Sequence, residues 1–317
     1  MSLKHIFKPV TVEEERDFER ENVRRKKDRY LEMNPMNRYR DDEFYHTKVN
    51  RVRMGIENGR DKFPDGWVLD IGGNTAGEAT VLCQEGAKII VGDINETALD
   101  ISRQRVRKFD LTEPKYVAMD VHSIPFADNS IDCITVLEAL HHFPDYDQAL
   151  REIYRVLKPG GVFYSQEPNG LNPLRRASEV RDRLRGTVEK SFFRSQLFRL
   201  CRRAGFEQIS VEQEFGGRSS WKLEEVPIYR RWLARLHGVL QIKIPTIFGP
   251  HEIRAVKPGE LKADDPPLEW KSLLRGPGGE GEVSYNSDAK KWVVEGKPGG
   301  YPDLNGIPVL IGADQSE

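Results

Sequence analysis

Cysteine is scarce in this chain. Three occur in 317 residues, Cys83, Cys133 and Cys201, far apart and each within an apolar segment. That pattern excludes a disulfide framework and a cysteine-built metal site, and leaves reduced, buried thiols. Long apolar runs are lacking too: none approaches the roughly 20 residues of a membrane-spanning helix. Neither sign of charge dominates, with 49 Lys and Arg against 50 Asp and Glu, so no whole-molecule field draws the chain to nucleic acid or an anionic membrane. The opening MSLKHIFKPVTVEEERDFERENVRRKK lacks the apolar core of a secretory signal and is too acidic for a transit peptide. A cytoplasmic protein without a membrane span is the expectation.

What is present suits one large α/β domain and a smaller unit. Residues 1 to about 48 are strongly charged and read as solvated helix. In EFYHTKVNRVRMGIENG, Phe44, Val49, Val52, Met54 and Ile56 are spaced to pack one side of a helix that Gly59 would end. From Trp67 strands alternate with helices. WVLDIGG, AKIIVGDIN, KYVAMDV, SIDCITVLEA and GVFYSQE read as five strands, with Asn95 and Asp145 as helix caps and Gln148 completing a capping-box pattern. The helix DQALREIYRVL carries Ala149, Leu150, Ile153, Tyr154 and Leu157 on one face and stops at Lys158-Pro159-Gly160-Gly161. Such alternation predicts a doubly wound, mostly parallel sheet with helices on both faces. After Pro168 the rhythm breaks into a polar, arginine-rich insertion, followed by a helix closed by Gly205, the strand EQISVEQEF, a helical stretch PIYRRWLARLHGVL and a last strand, HEIRAV.

A strand that ends in a glycine turn at a helix N-terminus lets a ligand approach the backbone closely. Here the turn is Asp70-Ile71-Gly72-Gly73-Asn74-Thr75-Ala76-Gly77. Asp93, about 20 residues onward at the end of the next strand, is placed to accept ribose hydroxyls. The series VLDIGG, GDIN, MDVHSIPFADNSIDCITVLEALHHF and ALREIYRVLKPGG, over roughly residues 66–168, resembles the class I methyltransferases of the type 11 branch. The resemblance implies a Rossmann-like fold and S-adenosylmethionine as cofactor. It implies that Asp70, Gly72 and Gly73 border the methionine end and that Asp93 holds the ribose, with Asn74 and Ile94 also among the cofactor-binding residues. Asp120 would meet the adenine amino group with Val121 beside the ring, and Leu137 and Glu138 would lie beneath the cofactor. The family usually has glycine where this chain has Asn74 and Ala76, which makes the turn less open. A dehydrogenase is disfavoured, because the G-x-G-x-x-G spacing is missing from this turn.

Candidate bases lie at the C-terminal ends of strands, where open α/β sheets bind ligands. His141 or His142, after the fourth strand, would accept the proton of a hydroxyl nucleophile; a structural role for the pair is the alternative. Glu167, near Asn169 after the fifth strand, is a candidate base or substrate anchor, or else a carboxylate hydrogen-bonded to a nearby loop. Tyr45 and His46 read as a lid over the pocket or as part of a surface helix. Arg175, Arg176, Arg181, Arg183, Arg185, Arg194, Arg199, Arg202 and Arg203 crowd the insertion and the helix after it, and read as an anion-binding surface or a solvated face.

The end of the chain, LLRGPGGEGEVSYNSDAKKWVVEGKPGGYPDLNGIPVLI, resembles the Trm112-like domain, a small zinc-ribbon-related module found with methyltransferases. Its C-P-x-C and C-x-x-C knuckles are here Gly276-Pro277-Gly278-Gly279 and Gly296-Lys297-Pro298-Gly299, while Tyr301-Pro302 and Gly306-Ile307-Pro308-Val309-Leu310 remain. Glycine offers no zinc ligand, so no metal is expected, and a metal-free unit this small has to dock on the methyltransferase in cis. The expected organisation is an N-terminal helical lid or extension (1–60), a methyltransferase domain (61–257, insertion about 168–190), a linker (258–268) and a β-rich Trm112-like domain (269–317). The expected function is O-methylation of a small-molecule or glycan-type acceptor, an anionic one included. Action on RNA or protein through the tail, and a non-enzymatic scaffold, are the alternatives.

Overall fold

The computed structural model describes residues 11–173, 175–176, 179, 190–213, 249–262 and 268–311. The expected helix PIYRRWLARLHGVL, Arg181, Arg183, Arg185 and the middle of the linker lie outside these residues.

Four helices come first: α1 (Val12–Arg25), α2 (Lys27–Glu32), α3 (Pro35–Asp41) and α4 (Glu43–Glu57). The alternating part follows as β1 (Val68–Ile71), α5 (Gly77–Gln84), β2 (Ile89–Asp93), α6 (Glu96–Lys108), β3 (Lys115–Met119), β4 (Ile131–Leu137), α7 (Tyr146–Val156) and β5 (Leu157–Glu167). Then come α8 (Arg194–Ala204), β6 (Glu207–Gln213) and β7 (His251–Val256), and the C-terminal unit adds β8 (Arg275–Gly276), β9 (Glu280–Asn286), β10 (Lys291–Val294), β11 (Tyr301–Leu304) and β12 (Ile307–Leu310). The strands order as β6-β7-β5-β4-β1-β2-β3-β12-β11-β10-β9-β8. β1 to β5 are mutually parallel, and β7 enters antiparallel between β5 and β6. Because β1 is central, with β2 and β4 on its two sides, every residue of VLDI is buried. This is a Rossmann-like, doubly wound sheet. The chain order reverses at β1/β4, the switch point at which open α/β sheets hold ligands.

Local chemistry sets the element ends. The Asn95 side chain accepts from the Ala98 N–H to cap α6, and Asp145 accepts from the Gln148 N–H to cap α7. The reciprocal half of the expected capping box is not made: Gln148 Nε2 donates instead to the His122 carbonyl at 3.1 Å. α7 ends at Val156, and Leu157 through Gly161 already belong to β5, so the Lys-Pro-Gly-Gly segment begins a strand where a helix stop alone was expected. Lys158 is tied there to Asp132 at 3.0 Å.

The N-terminal segment is more firmly seated than a solvated helix. Val23 is buried with Ala98 and Ile101 of α6, and Arg16 and Arg20 of α1 form ion pairs with Glu96 at the start of α6. In α4, Tyr45, Val49, Val52 and Ile56 join the core beside β1 and β2. Phe44 and Met54, expected on that packed side, are 55% and 67% exposed, and Tyr45 takes the inward position.

At the other edge β12 pairs parallel with β3, Val309 opposite Ala118 and Leu310 opposite Met119. A second seam runs where the Ala127 N–H donates to the Leu273 carbonyl at 2.9 Å and the Arg275 N–H to the Pro125 carbonyl at 3.0 Å. Trp270, Leu273, Leu274, Trp292 and Leu310 share one core with Met119, Ile124 and Phe126. The knuckle glycines fit these contacts. Gly279 has φ +85°, and a Cβ there would lie 2.5 Å from Arg155 Nη1, while Gly276 (φ −57°) leaves room for the Glu280 carbonyl.

Candidate active site

A cavity of about 450 Å³ opens at the C-terminal ends of β1 to β4 and is closed from the other side by α1 to α4. Asp70, Gly72, Gly73, Asn74, Asp93, Ile94, Asp120, Val121, Leu137 and Glu138 all line it. Of the three candidate catalytic residues only His142 does so.

The glycine turn follows β1 with φ +70° at Gly72, +46° at Asn74 and +50° at Ala76. Two side-chain-bearing residues thus hold the left-handed region that glycine adopts without cost. Asp93 steadies this turn: its carboxylate accepts from the Asn74 N–H at 2.7 Å and the Asn95 N–H at 2.8 Å. Burial pushes the Asp93 carboxyl up, and those two bonds pull the other way. Each oxygen keeps a second lone pair for a ligand hydroxyl. Asp120 accepts from the His122 N–H at 2.9 Å and pairs with His122 Nδ1 at 2.7 Å. Burial opposes its charge, but the two His122 bonds hold its carboxyl below the ordinary range.

Asp70 is 5% exposed and accepts from Thr135 Oγ1 at 2.6 Å. Burial raises its carboxyl to about 7, against the pull of the Thr135 bond. The folded chain therefore keeps a proton that the unfolded chain loses near pH 4, and stability falls as pH rises from about 4 to about 7. Asp70→Asn is expected to remove that decline. Its Tm should exceed wild type by about 3–6 °C at pH 8, with the gap closing toward pH 4, as thermal melts across pH 4–9 will register. A constant difference at all pH values would refute this.

His141 and Glu167 sit behind the cavity wall. Glu167 is fully buried, accepts the Leu140 N–H at 2.9 Å and pairs with His141 Nδ1 at 2.8 Å. Neither lines the cavity, and the contacts are those of the alternative reading, a carboxylate hydrogen-bonded to a nearby loop beside a structural histidine. Together they fix the turn that carries His142, whose ring stands 4.2 Å from that of His141.

Of the N-terminal helices, sequence reading named Tyr45 and His46 as a lid but missed Lys48 and Arg38. Lys48 bridges Glu78 at 2.9 Å and Glu138 at 3.2 Å, joining α4 to α5 and the end of β4. Burial opposes its charge, yet the two carboxylates hold the ammonium above its ordinary range. Glu138 has φ +53°, a strained position held by this pair and by its N–H bond to the Gln166 carbonyl at 2.8 Å. Tyr45 is a wall of the cavity, with the Arg38 guanidinium 4.1 Å over its ring, whereas His46 bonds Asn50 on the outside. Arg105, lost among the charges of RQRVRK, is buried at the cavity wall. The described arginines of α8 (Arg194, Arg199, Arg202 and Arg203) face solvent, and Arg203 pairs with Asp147 at 2.7 Å. They do not line this cavity.

Residues 69–165 match the family model described as a methyltransferase domain. Together with the sheet order above, residues 69–165 carry a methyltransferase domain on a Rossmann-like sheet. Among curated relatives, the ubiquinone/menaquinone biosynthesis C-methyltransferase UbiE of Escherichia coli K12 is 41% identical over 99 residues, which are 30% of this chain and 39% of that protein. The chain thus matches well under half the length of that relative. Among solved structures, Haemonchus contortus phosphoethanolamine N-methyltransferase 2 with S-adenosyl-L-methionine aligns at TM-score 0.48 and 22% identity, covering 66% of this chain and 52% of that one. A chain from the complex of the Haloferax volcanii Trm112 methyltransferase activator with a methyltransferase aligns at 0.47 and 19%, covering 68% and 95%. No helix among the described residues is long and apolar enough to cross a membrane.

The cavity fits S-adenosylmethionine on its own terms. Asp93 and Asp120 bring carboxylate oxygens to the cavity, suited to accept from hydroxyl and amino groups, and Asn74 Oδ1 is a buried acceptor without a hydrogen-bond partner among the described residues.

Proposed function

We propose that the whole chain is a methyltransferase that uses S-adenosylmethionine to methylate an oxygen of a small-molecule or glycan-type acceptor. One observation carries this reading: the residues suited to hold the cofactor converge on one cavity, and His142 lines its rim beside Phe143 and Pro144. The cofactor, when bound, supplies the methyl group. The chain's own part is to hold and to orient. Asp93 receives the ribose hydroxyls, Asp120 the adenine amino group, and the turn at residues 72–74 the amino-acid end. His142 takes the proton of the acceptor hydroxyl, and its ring is steadied by His141, itself locked to Glu167. The helices α1 to α4 wall the cavity on the side away from the strand ends. The segment beyond Leu268 is read as a Trm112-like module that serves the methyltransferase in cis. Carbon methylation, the named activity of the similar Escherichia coli protein, is the competing reading, and it too would use a base at His142.

The test is a calorimetric titration with S-adenosylmethionine, followed by an acceptor screen that includes neutral and anionic glycans and quinols. His142→Ala is expected to lower kcat by about 100-fold or more while leaving cofactor affinity within twofold. Equal kcat in the variant would remove His142 from the reaction, and absence of cofactor binding by the wild type would leave only a scaffold.

A further inference from the structure

Residues 190–206 hold five basic residues and neither Asp nor Glu, in a chain whose 49 basic and 50 acidic residues nearly balance. Within α8, Arg194, Phe198 and Arg202 follow at four-residue spacing and form one exposed stripe, with Arg199 beside it. Leu197, Leu200 and Cys201 fill the opposite, buried side. Among the described residues Arg194, Arg199 and Arg202 make no ion pair; on this helix Arg203 does, with Asp147 at 2.7 Å. A merely solvated helix face sets acids three or four residues from its bases, and this one has none. Apolar side chains stand among these charges. Phe193 and Phe198 are 41% and 39% exposed, and Leu171 is 55% exposed. Leu171 joins them because the Gly170 N–H donates to the Phe192 carbonyl at 2.7 Å, which sets the 169–171 turn beside the start of α8.

Uncompensated guanidiniums interleaved with exposed apolar side chains match a surface that is anionic outside and apolar just beneath. We propose that α8 and the 169–171 turn dock the protein on a lipid bilayer bearing anionic headgroups. Arg194, Arg199 and Arg202 meet the phosphates, and Leu171, Phe193 and Phe198 enter the acyl boundary. A nucleic acid would use the charges, but it gives an aliphatic side chain such as Leu171 nothing to enter. None of these six residues lines the cavity, so the docking is independent of the acceptor that is methylated. Cavity and surface are joined through Tyr146. It stands just past Pro144 of the cavity wall, and its ring meets Phe192 edge-on at 5.2 Å. Docking thus takes hold on the side of the fold that carries His142.

The experiment sediments the full chain with vesicles of phosphatidylcholine alone and of equimolar phosphatidylcholine and phosphatidylglycerol. One variant, Arg194→Gln/Arg199→Gln/Arg202→Gln, removes the charges of the stripe, and a second, Phe193→Ser/Phe198→Ser, removes its phenyl rings. A control, Arg24→Gln/Lys27→Gln/Arg29→Gln, removes exposed bases from α1 and α2. Serine at 193, the cap position of α8, favours the helix, and melting temperatures verify that each variant folds. The wild type is expected to bind the anionic vesicles and to leave the neutral ones in solution. Partition should fall about 50- to 100-fold in the arginine variant, near fivefold per charge, and about tenfold in the phenylalanine variant. The control should stay within about twofold of wild type, and lysine at the three arginine positions should restore most of the binding, which a loss through misfolding would not allow. No binding by the wild type, equal binding to both vesicles, or an equal loss in the control would each overturn the proposal. Full binding by the phenylalanine variant would overturn it too, since the surface would then be purely electrostatic, of the kind that a nucleic acid or an acidic protein takes.

Discussion

Alanine at position 93 is expected to reduce affinity for S-adenosylhomocysteine by about 100-fold or more, through two losses that act together. The first is direct: charge-assisted hydrogen bonds from a carboxylate contribute about 1.5–3 kcal/mol each, and a ribose offers two hydroxyls. The second is local. Asp93 ties the Asn74 and Asn95 N–H groups at 2.7 and 2.8 Å, so its removal frees a turn already strained at Asn74 and Ala76. Asp93→Asn separates the two. An amide oxygen still accepts one backbone bond, and this variant should lose only about tenfold. Calorimetry on both variants decides the matter: alanine and asparagine alike binding as wild type would place the ribose elsewhere.

The sequence made the strand-end side of the cavity legible because each residue there lies at or near the end of a strand. Asp70, Asp93, Asp120 and Glu138 follow β-rich runs whose order and spacing dictate a parallel sheet, and such a sheet brings its strand ends together. The charged residues of the helical wall were not legible, although a lid at Tyr45 was. Lys48, Arg105 and Arg38 sit on helices where a charged residue ordinarily faces water, and only tertiary packing shows that they turn inward. His141 and Glu167 lie off the cavity for a related reason. Position at a strand end was read correctly, but side-chain direction there depends on which backbone N–H groups need a buried acceptor. Glu167 answers those of Leu140 and His141. At α4 the stripe of Val49, Val52 and Ile56 was read correctly and Phe44 and Met54 were not: Tyr45 points inward, where Gly77 leaves space for its phenol.

Truncation after Leu268 is expected to be the most damaging change to the fold. It would strip β12 from β3 and leave an unpaired, apolar sheet edge, a ready site for aggregation. It would also uncover Met119, Ile124 and Phe126, which are 0–1% exposed in the full chain and share their core with Trp270, Leu274 and Leu310. The segment so exposed runs from β3 through Asp120 and Val121, so the adenine end of the cavity loses its support along with the core. A truncated chain should therefore be recovered mostly insoluble, or melt more than about 10 °C lower with no measurable S-adenosylhomocysteine binding. Leu310→Asp makes the same point without deletion: a carboxylate at a fully buried position opposite Met119 should cost about 3–5 kcal/mol. Tyr285→Ala, on the exposed face of β9, should change Tm by little. If the truncated protein stayed soluble with an unaltered melt and full cofactor affinity, the C-terminal unit would be a passenger, and the shared core would contribute nothing that the rest of the sheet needs.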